Sequence, residues 1–126
     1  MDITGLSGRG SGFIIQHQGL FYVITNAHVV QQAASDQDLV VITINGTRYP
    51  VRVVGGDSFY DLAVLAFTDK PGNEIKSLSF RQEMLRVGEA VYAVGNPQGT
   101  FPYSVSEGII GGLNRVFNTP TKKLVL

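Results

Sequence analysis

Leu39-Val40-Val41-Ile42-Thr43-Ile44, closed by Asn45-Gly46, is the stretch whose reading decides the fold class. An apolar run rich in Val and Ile has the character of a β-strand. Asn-Gly behind it is the strongest short hairpin signal, because both residues tolerate positive φ. Tyr49 to Val54 then reads as the returning strand. Pro50 has no N–H to give to a ladder, so it demotes the start of that strand to an edge or a bulge. Leu62-Ala63-Val64-Leu65-Ala66-Phe67 reads as a further buried strand.

The same pattern continues outward in both directions. Upstream, Phe13-Ile14-Ile15 and Phe21-Tyr22-Val23-Ile24 are strand-like runs separated by the polar turn Gln16-His17-Gln18-Gly19. The only helical stretch is a turn or two around Ala27 to Ala33. Downstream, Asp69-Lys70-Pro71-Gly72-Asn73-Glu74 breaks the pattern, and Ile75 to Arg86 reads as a connection over the surface. Strand character returns at Glu89 to Val94 and again at Ser104 to Leu113, with the dense turn signal Gly95-Asn96-Pro97-Gln98-Gly99 between them. Lys123 to Leu126 begins one more strand. Many short strands separated by Gly, Pro and Asn turns predict an all-β barrel or sandwich.

Composition narrows the function classes. The chain has 126 residues, 44% of them apolar, which is enough for one domain with a buried core. Charged residues make up 16%, below the roughly 25% of an average soluble protein. Ten basic residues balance ten acidic ones. With no basic excess to neutralise a phosphate backbone, nucleic acid is not an expected partner. The absence of cysteine removes disulfides, thiolate metal sites and a cysteine nucleophile from this stretch. Met1-Asp2-Ile3-Thr4-Gly5 lacks the basic-then-apolar order of a signal peptide. No apolar run reaches the roughly 18–20 residues of a membrane span. No carboxylate or histidine cluster has metal-ligand spacing.

Two histidines are available for chemistry. His17 falls in a polar turn, where a solvated role is expected. His28 falls in Thr25-Asn26-Ala27-His28-Val29-Val30, directly after a strand. Two aspartates stand just before the strand Leu62-Ala63-Val64-Leu65: Asp57, after Gly55-Gly56, and Asp61, immediately ahead of Leu62. A neutral imidazole can accept a proton from an attacking hydroxyl and return it to a leaving amine, provided that a carboxylate fixes its tautomer.

Taken together, four segments in order resemble the trypsin-like serine proteases, particularly their HtrA branch. Gly10-Ser11-Gly12-Phe13-Ile14-Ile15 is similar to the opening strand, and Thr25 to Val30 resembles the histidine motif. Asp57-Ser58-Phe59-Tyr60-Asp61-Leu62-Ala63-Val64-Leu65 resembles the aspartate motif. Val94 to Gly99 and Val105 to Ile110 resemble the first hairpin of a second barrel. The resemblance implies a chymotrypsin-like double β-barrel: residues 1–69 as the complete N-terminal barrel, 70–86 as a connection, and 87–126 as a second barrel truncated after about three strands. It implies peptide-bond hydrolysis through an acyl-enzyme, with His28 as general base and Asp61 as its orienting carboxylate. It assigns Asp57 to the turn and requires no metal or organic cofactor.

The serine of that family sits in Gly-Asn-Ser-Gly-Gly, which also supplies oxyanion-hole N–H groups. No such segment occurs here, and Ser7, Ser11, Ser35, Ser58, Ser77, Ser79, Ser104 and Ser106 all lack that context. The expectation is a parent serine endopeptidase whose nucleophile lies outside this chain, so that the chain alone is inactive. Expected partners are polypeptide substrates, unfolded proteins among them, and further copies of the chain, since a partial barrel leaves open sheet edges. The resemblance also points to a periplasmic or secreted location. Two alternatives stay open: a non-catalytic protein-binding module on the same scaffold, and a protease of this fold with a cysteine nucleophile.

Overall fold

The computed structural model describes residues 2–4, 9–31, 39–95, 104–113, 116–118 and 123–125. Their strands, in chain order, are β1 (Asp2–Thr4), β2 (Arg9–Ser11), β3 (Phe13–His17), β4 (Leu20–Thr25), β5 (Val40–Ile42), β6 (Arg48–Asp57), β7 (Leu62–Phe67), β8 (Ala90–Gly95), β9 (Ser104–Ile109), β10 (Val116–Asn118) and β11 (Lys123–Val125). One short helix, α1 (Ala27–Val30), follows β4. No helix among the described residues is long and apolar enough to cross a membrane.

The described residues make an all-β domain, with α1 as its one short helical turn. Seven strands form one antiparallel sheet in the order β2-β1-β5-β6-β7-β4-β3. The end strands β2 and β3 do not pair with each other; they follow one another in the chain through Gly12. Backbone rather than a ladder therefore joins the two ends of the order. β8 pairs with β9, and β10 with β11, as separate hairpins.

Alternation of side chains explains the core. Ile14, Val23, Leu65 and Val53 stand opposite one another across β3, β4, β7 and β6, and all point inward. Ile14, Val23 and Leu65 are buried with Val29, Leu39, Val41, Val51 and Ile75; Val53 packs partly buried against them. Ile75 comes from beyond β7, and a local knot holds it there. Tyr49 donates its hydroxyl to Glu74 and accepts the Gly72 N–H at 3.3 Å. That bond holds the Glu74 carboxyl below the usual carboxylate range and raises the Tyr49 phenol.

Several local elements differ from the sequence expectation. β5 ends at Ile42 rather than Ile44, and residues 43–47 form the loop. The Thr43 N–H donates to the Thr47 carbonyl at 2.9 Å, and Gly46 takes φ +86°. The Asn45 carboxamide accepts the Thr43 hydroxyl and the Thr47 N–H, so Asn-Gly builds a wider, side-chain-braced turn. Conversely, the first hairpin is tighter than expected. Only Gln18 and Gly19 turn, both at positive φ, which matches the right-handed twist of the flanking strands. His17 consequently belongs to the end of β3. β1 and β10 have no counterpart in the sequence reading. The Asn96–Gly99 turn, Ser7, Ser35, Leu126 and any helical continuation over residues 32–33 lie outside the described residues.

Beyond β7 the chain runs to β8 without regular structure, but it is anchored. The Leu78 N–H donates to the Ile14 carbonyl at 2.7 Å, covering part of the open edge of β3. Phe80 meets Phe13 edge to face at 6.3 Å. Arg81 bridges Glu89 and donates to the Glu83 and Met84 carbonyls.

Candidate active site

Two turns meet at one end of the sheet. The first is set by a bulge in β6. Val53 opposes Leu65, but Gly55 rather than Val54 opposes Val64, so Val54 is the extra residue. The shift places Gly56 opposite Ala63 and Asp57 opposite Leu62, leaving residues 58–61 as the turn. A side chain at position 56 would meet the Leu62 carbonyl oxygen at 2.6 Å, so glycine is required there. Asp57 Oδ1 accepts the N–H groups of Phe59 (2.9 Å) and Tyr60 (3.4 Å), the local bonding expected of a turn aspartate. The turn delivers Asp61 at φ +56°, in the left-handed region that Asp tolerates better than most residues.

The second turn follows β4. Thr25, buried at the strand end, donates its hydroxyl to the Ser11 carbonyl at 2.8 Å. Asn26 is extended, and α1 begins after it. The Val29 side chain beneath α1 fills the space where a Cβ on Gly10 would stand, at 2.5 Å from its Cγ2. This contact explains why a glycine occupies position 10 of the opening strand.

The two turns lock on Asp61. Its carbonyl accepts the Ala27 N–H at 3.1 Å and the Asn26 side-chain amide at 3.0 Å. Its Oδ1 accepts the His28 N–H at 2.8 Å, and its Oδ2 lies 2.6 Å from His28 Nδ1. An ionised carboxylate only accepts, so Nδ1 carries the proton. In the neutral ring this leaves the Nε2 lone pair available. The His28 side chain is 61% exposed and that of Asp61 31%, so the ring is held from one side and open on the other.

His28 and Asp61 are thus adjacent, whereas Asp57 is occupied by its own turn and His17 stands exposed at the far end of β3. Ser11 and Ser58 serve these two turns through their carbonyl oxygens. Ser77 and Ser79 lie in the irregular segment, and Ser104 and Ser106 in β9. A groove of about 630 Å³ is lined by Phe13, Ile24, Leu78 and Tyr92 among others, and reaches the site through Asn26 and Leu62, the neighbours of the pair in the chain. Sequence reasoning did not assign the side chain of Asn26. An Asn ahead of a helix reads as an N-cap, and that signal points away from the bond it makes.

A sequence profile of the trypsin-like peptidase domain matches residues 10–125. The chain is 38% identical over 117 residues to the serine protease Do-like HtrA of Bacillus subtilis, covering 91% of this chain and 25% of that protein. It is 41% identical over 114 residues to the serine endoprotease DegS of Haemophilus influenzae, covering 90% of this chain and 31% of that protein. It is 42% identical over 108 residues to a probable periplasmic serine endoprotease DegP-like of Rhizobium meliloti, covering 85% and 20% respectively.

Proposed function

The chain belongs to the trypsin-like peptidase family, and on that premise we propose that it carries the proton-handling part of an HtrA-type serine endopeptidase site. His28 is the general base and Asp61 its orienting carboxylate. The observation that carries this reading is the 2.6 Å approach of His28 Nδ1 to Asp61 Oδ2 on an otherwise exposed ring. With Nδ1–H committed to the carboxylate, Nε2 takes the proton of an attacking hydroxyl as its oxygen bonds to the scissile carbonyl carbon. The same nitrogen returns the proton to the departing amine, and Asp61 stabilises the intervening imidazolium. Polypeptides are the substrates, in keeping with relatives that are named proteases. The names of periplasmic relatives support a location outside the cytoplasm. Residues 1–69 form the histidine- and aspartate-bearing barrel, 70–86 the connection and 87–126 part of a second barrel.

The 126 residues contain no Gly-Asn-Ser-Gly-Gly segment, so the nucleophile and its oxyanion donors come from other sequence. Loss of a triad nucleophile costs about 10⁶-fold in turnover. The purified chain is therefore expected to leave casein intact, while a longer form containing the serine segment cleaves it and is blocked by an acylating serine reagent. Cleavage by the chain alone that disappears in His28→Ala would place the nucleophile among its own serines. A longer form with neither Ser nor Cys at the nucleophile position would support a binding module instead.

The β8–β9 hairpin carries a further expectation. Cross-strand pairing places Tyr92, Val94, Val105 and Ile109 on one face, with Glu107 opposite Tyr92 among them, and these four apolar side chains are more than 60% exposed. Apolar patches above a few hundred Å² are uncommon on soluble monomers. The occupant proposed for this face is a second copy of the chain, pairing hairpin to hairpin. Light scattering after size exclusion is expected to show a mass above one chain that falls on dilution. A monomer at every concentration, with no uptake of an apolar dye, would remove this part of the reading.

A further inference from the structure

Asn26 occupies the position before α1 where an Asn side chain ordinarily accepts an N–H from the first helical turn. It makes no such cap. The capping is done from elsewhere: the Ala27 N–H goes to the Asp61 carbonyl and the His28 N–H to the Asp61 carboxylate. The amide of Asn26 is thereby released, and its Nδ2 donates to the Asp61 carbonyl at 3.0 Å. That carbonyl belongs to a residue at φ +56°, a left-handed conformation that costs some strain even for Asp. Within the turn, Asp57 braces Phe59 and Tyr60, and the Asp61 N–H donates to the Ser58 carbonyl at 3.4 Å; Asn26 adds a side-chain hold on the Asp61 carbonyl from the other turn.

We propose that Asn26 is a positioning residue for the His28–Asp61 pair: its side-chain amide clamps the Asp61 backbone, keeping the carboxylate aimed at His28 Nδ1. The inference rests on the dyad reading above and deepens it. Asn26 touches neither the imidazole nor any reacting atom. It acts by fixing the peptide that follows Asp61, so that rotation of the turn cannot carry Oδ2 away from the ring. A short polar side chain with a donor at its tip is needed; a carboxylate of the same shape would oppose the carbonyl it faces.

Long-range ¹H–¹⁵N correlation of the histidine ring nitrogens in the 126-residue chain, with the rings neutral, reads this directly. Wild type is expected to hold His28 as the Nδ1–H tautomer in large excess, with exposed His17 as the reference in the same spectrum. Asn26→Ala and Asn26→Asp are both expected to lose that excess and approach the tautomer mixture of His17. Val51→Ala, which removes core volume far from the pair, is expected to lower the urea midpoint yet keep the His28 excess. An Asn26→Ala protein that retains the wild-type tautomer would overturn the inference while leaving the dyad intact. Loss of the excess in Val51→Ala as well would show that the signal follows stability rather than position, and would also overturn it. A wild-type spectrum in which His28 matches His17 would overturn the dyad and this inference together.

Discussion

His28→Ala in a longer, proteolytically active form of this protein is expected to lower kcat by about 10⁶-fold, and Asp61→Asn by about 10⁴-fold. The two losses differ because they remove different things. Alanine removes the imidazole, the proposed general base. Because the His28 ring is largely exposed, truncating it leaves the core untouched and the fold intact. Asparagine keeps the shape and reverses a bond. Its amide oxygen continues to accept the His28 N–H, now made by Oδ1 at 2.8 Å. Its amide nitrogen then faces Nδ1, where Oδ2 stands at 2.6 Å, and can only donate. The ring is forced to carry its proton on Nε2, and the lone pair that should accept the hydroxyl proton is gone. Asparagine also tolerates the positive φ of position 61, so the variant folds. Steady-state kinetics with a peptide substrate separates the cases, with KM little changed in both because neither group is needed for uniform substrate binding. An Asp61→Asn enzyme within tenfold of wild type would mean that Asp61 does not orient the base.

How much of this was legible in the sequence depends on whether a signal is local. The strands around Val23, Val41, Val51 and Leu65 were readable because an apolar run between Gly, Pro and Asn turns has few other ways to bury itself. The loop after β5 is wider than Asn-Gly alone implies because the Asn45 side chain recruits Thr43 and Thr47, a bond that the dipeptide does not encode. β1 was invisible: Asp2-Ile3-Thr4 is too short to carry a pattern, and only pairing with β2 and β5 makes it a strand. At the site, motif order placed His28 and Asp61 in one family pattern, and Asp57 was readable as a turn residue. What no motif carries is the bulge at Val54, which sets the register of the Asp61 turn, and the redirected amide of Asn26. Both depend on how separate strands sit against each other.

The strongest stability effect is expected at Leu65, where Leu65→Ala should cost about 2–5 kcal/mol. Leu65 has no exposed surface. It stands in β7 between Val23 of β4 and Val53 of β6, the two ladders that join the halves of the seven-stranded sheet. Truncation leaves a void that these neighbours cannot close without breaking strand register, so transfer and cavity costs add. Against a domain stability of about 5–15 kcal/mol, that is a large fraction. With mid-range values, about 3.5 kcal/mol lost and a urea slope of about 2 kcal/mol/M, the midpoint falls by about 2 M. Leu62→Ala in the same strand is the matched comparison. Leu62 points the other way and is 43% exposed, so its loss should cost about 1 kcal/mol or less. Urea unfolding of both variants, followed by tyrosine fluorescence, tests the assignment of faces on which the site depends. The register that buries Leu65 is the one that puts Leu62 opposite Asp57 and so starts the turn to Asp61. Equal losses at the two positions would mean that β7 does not present these faces. A slipped register would move Asp61 out of reach of His28, and the stability and activity predictions would fail together.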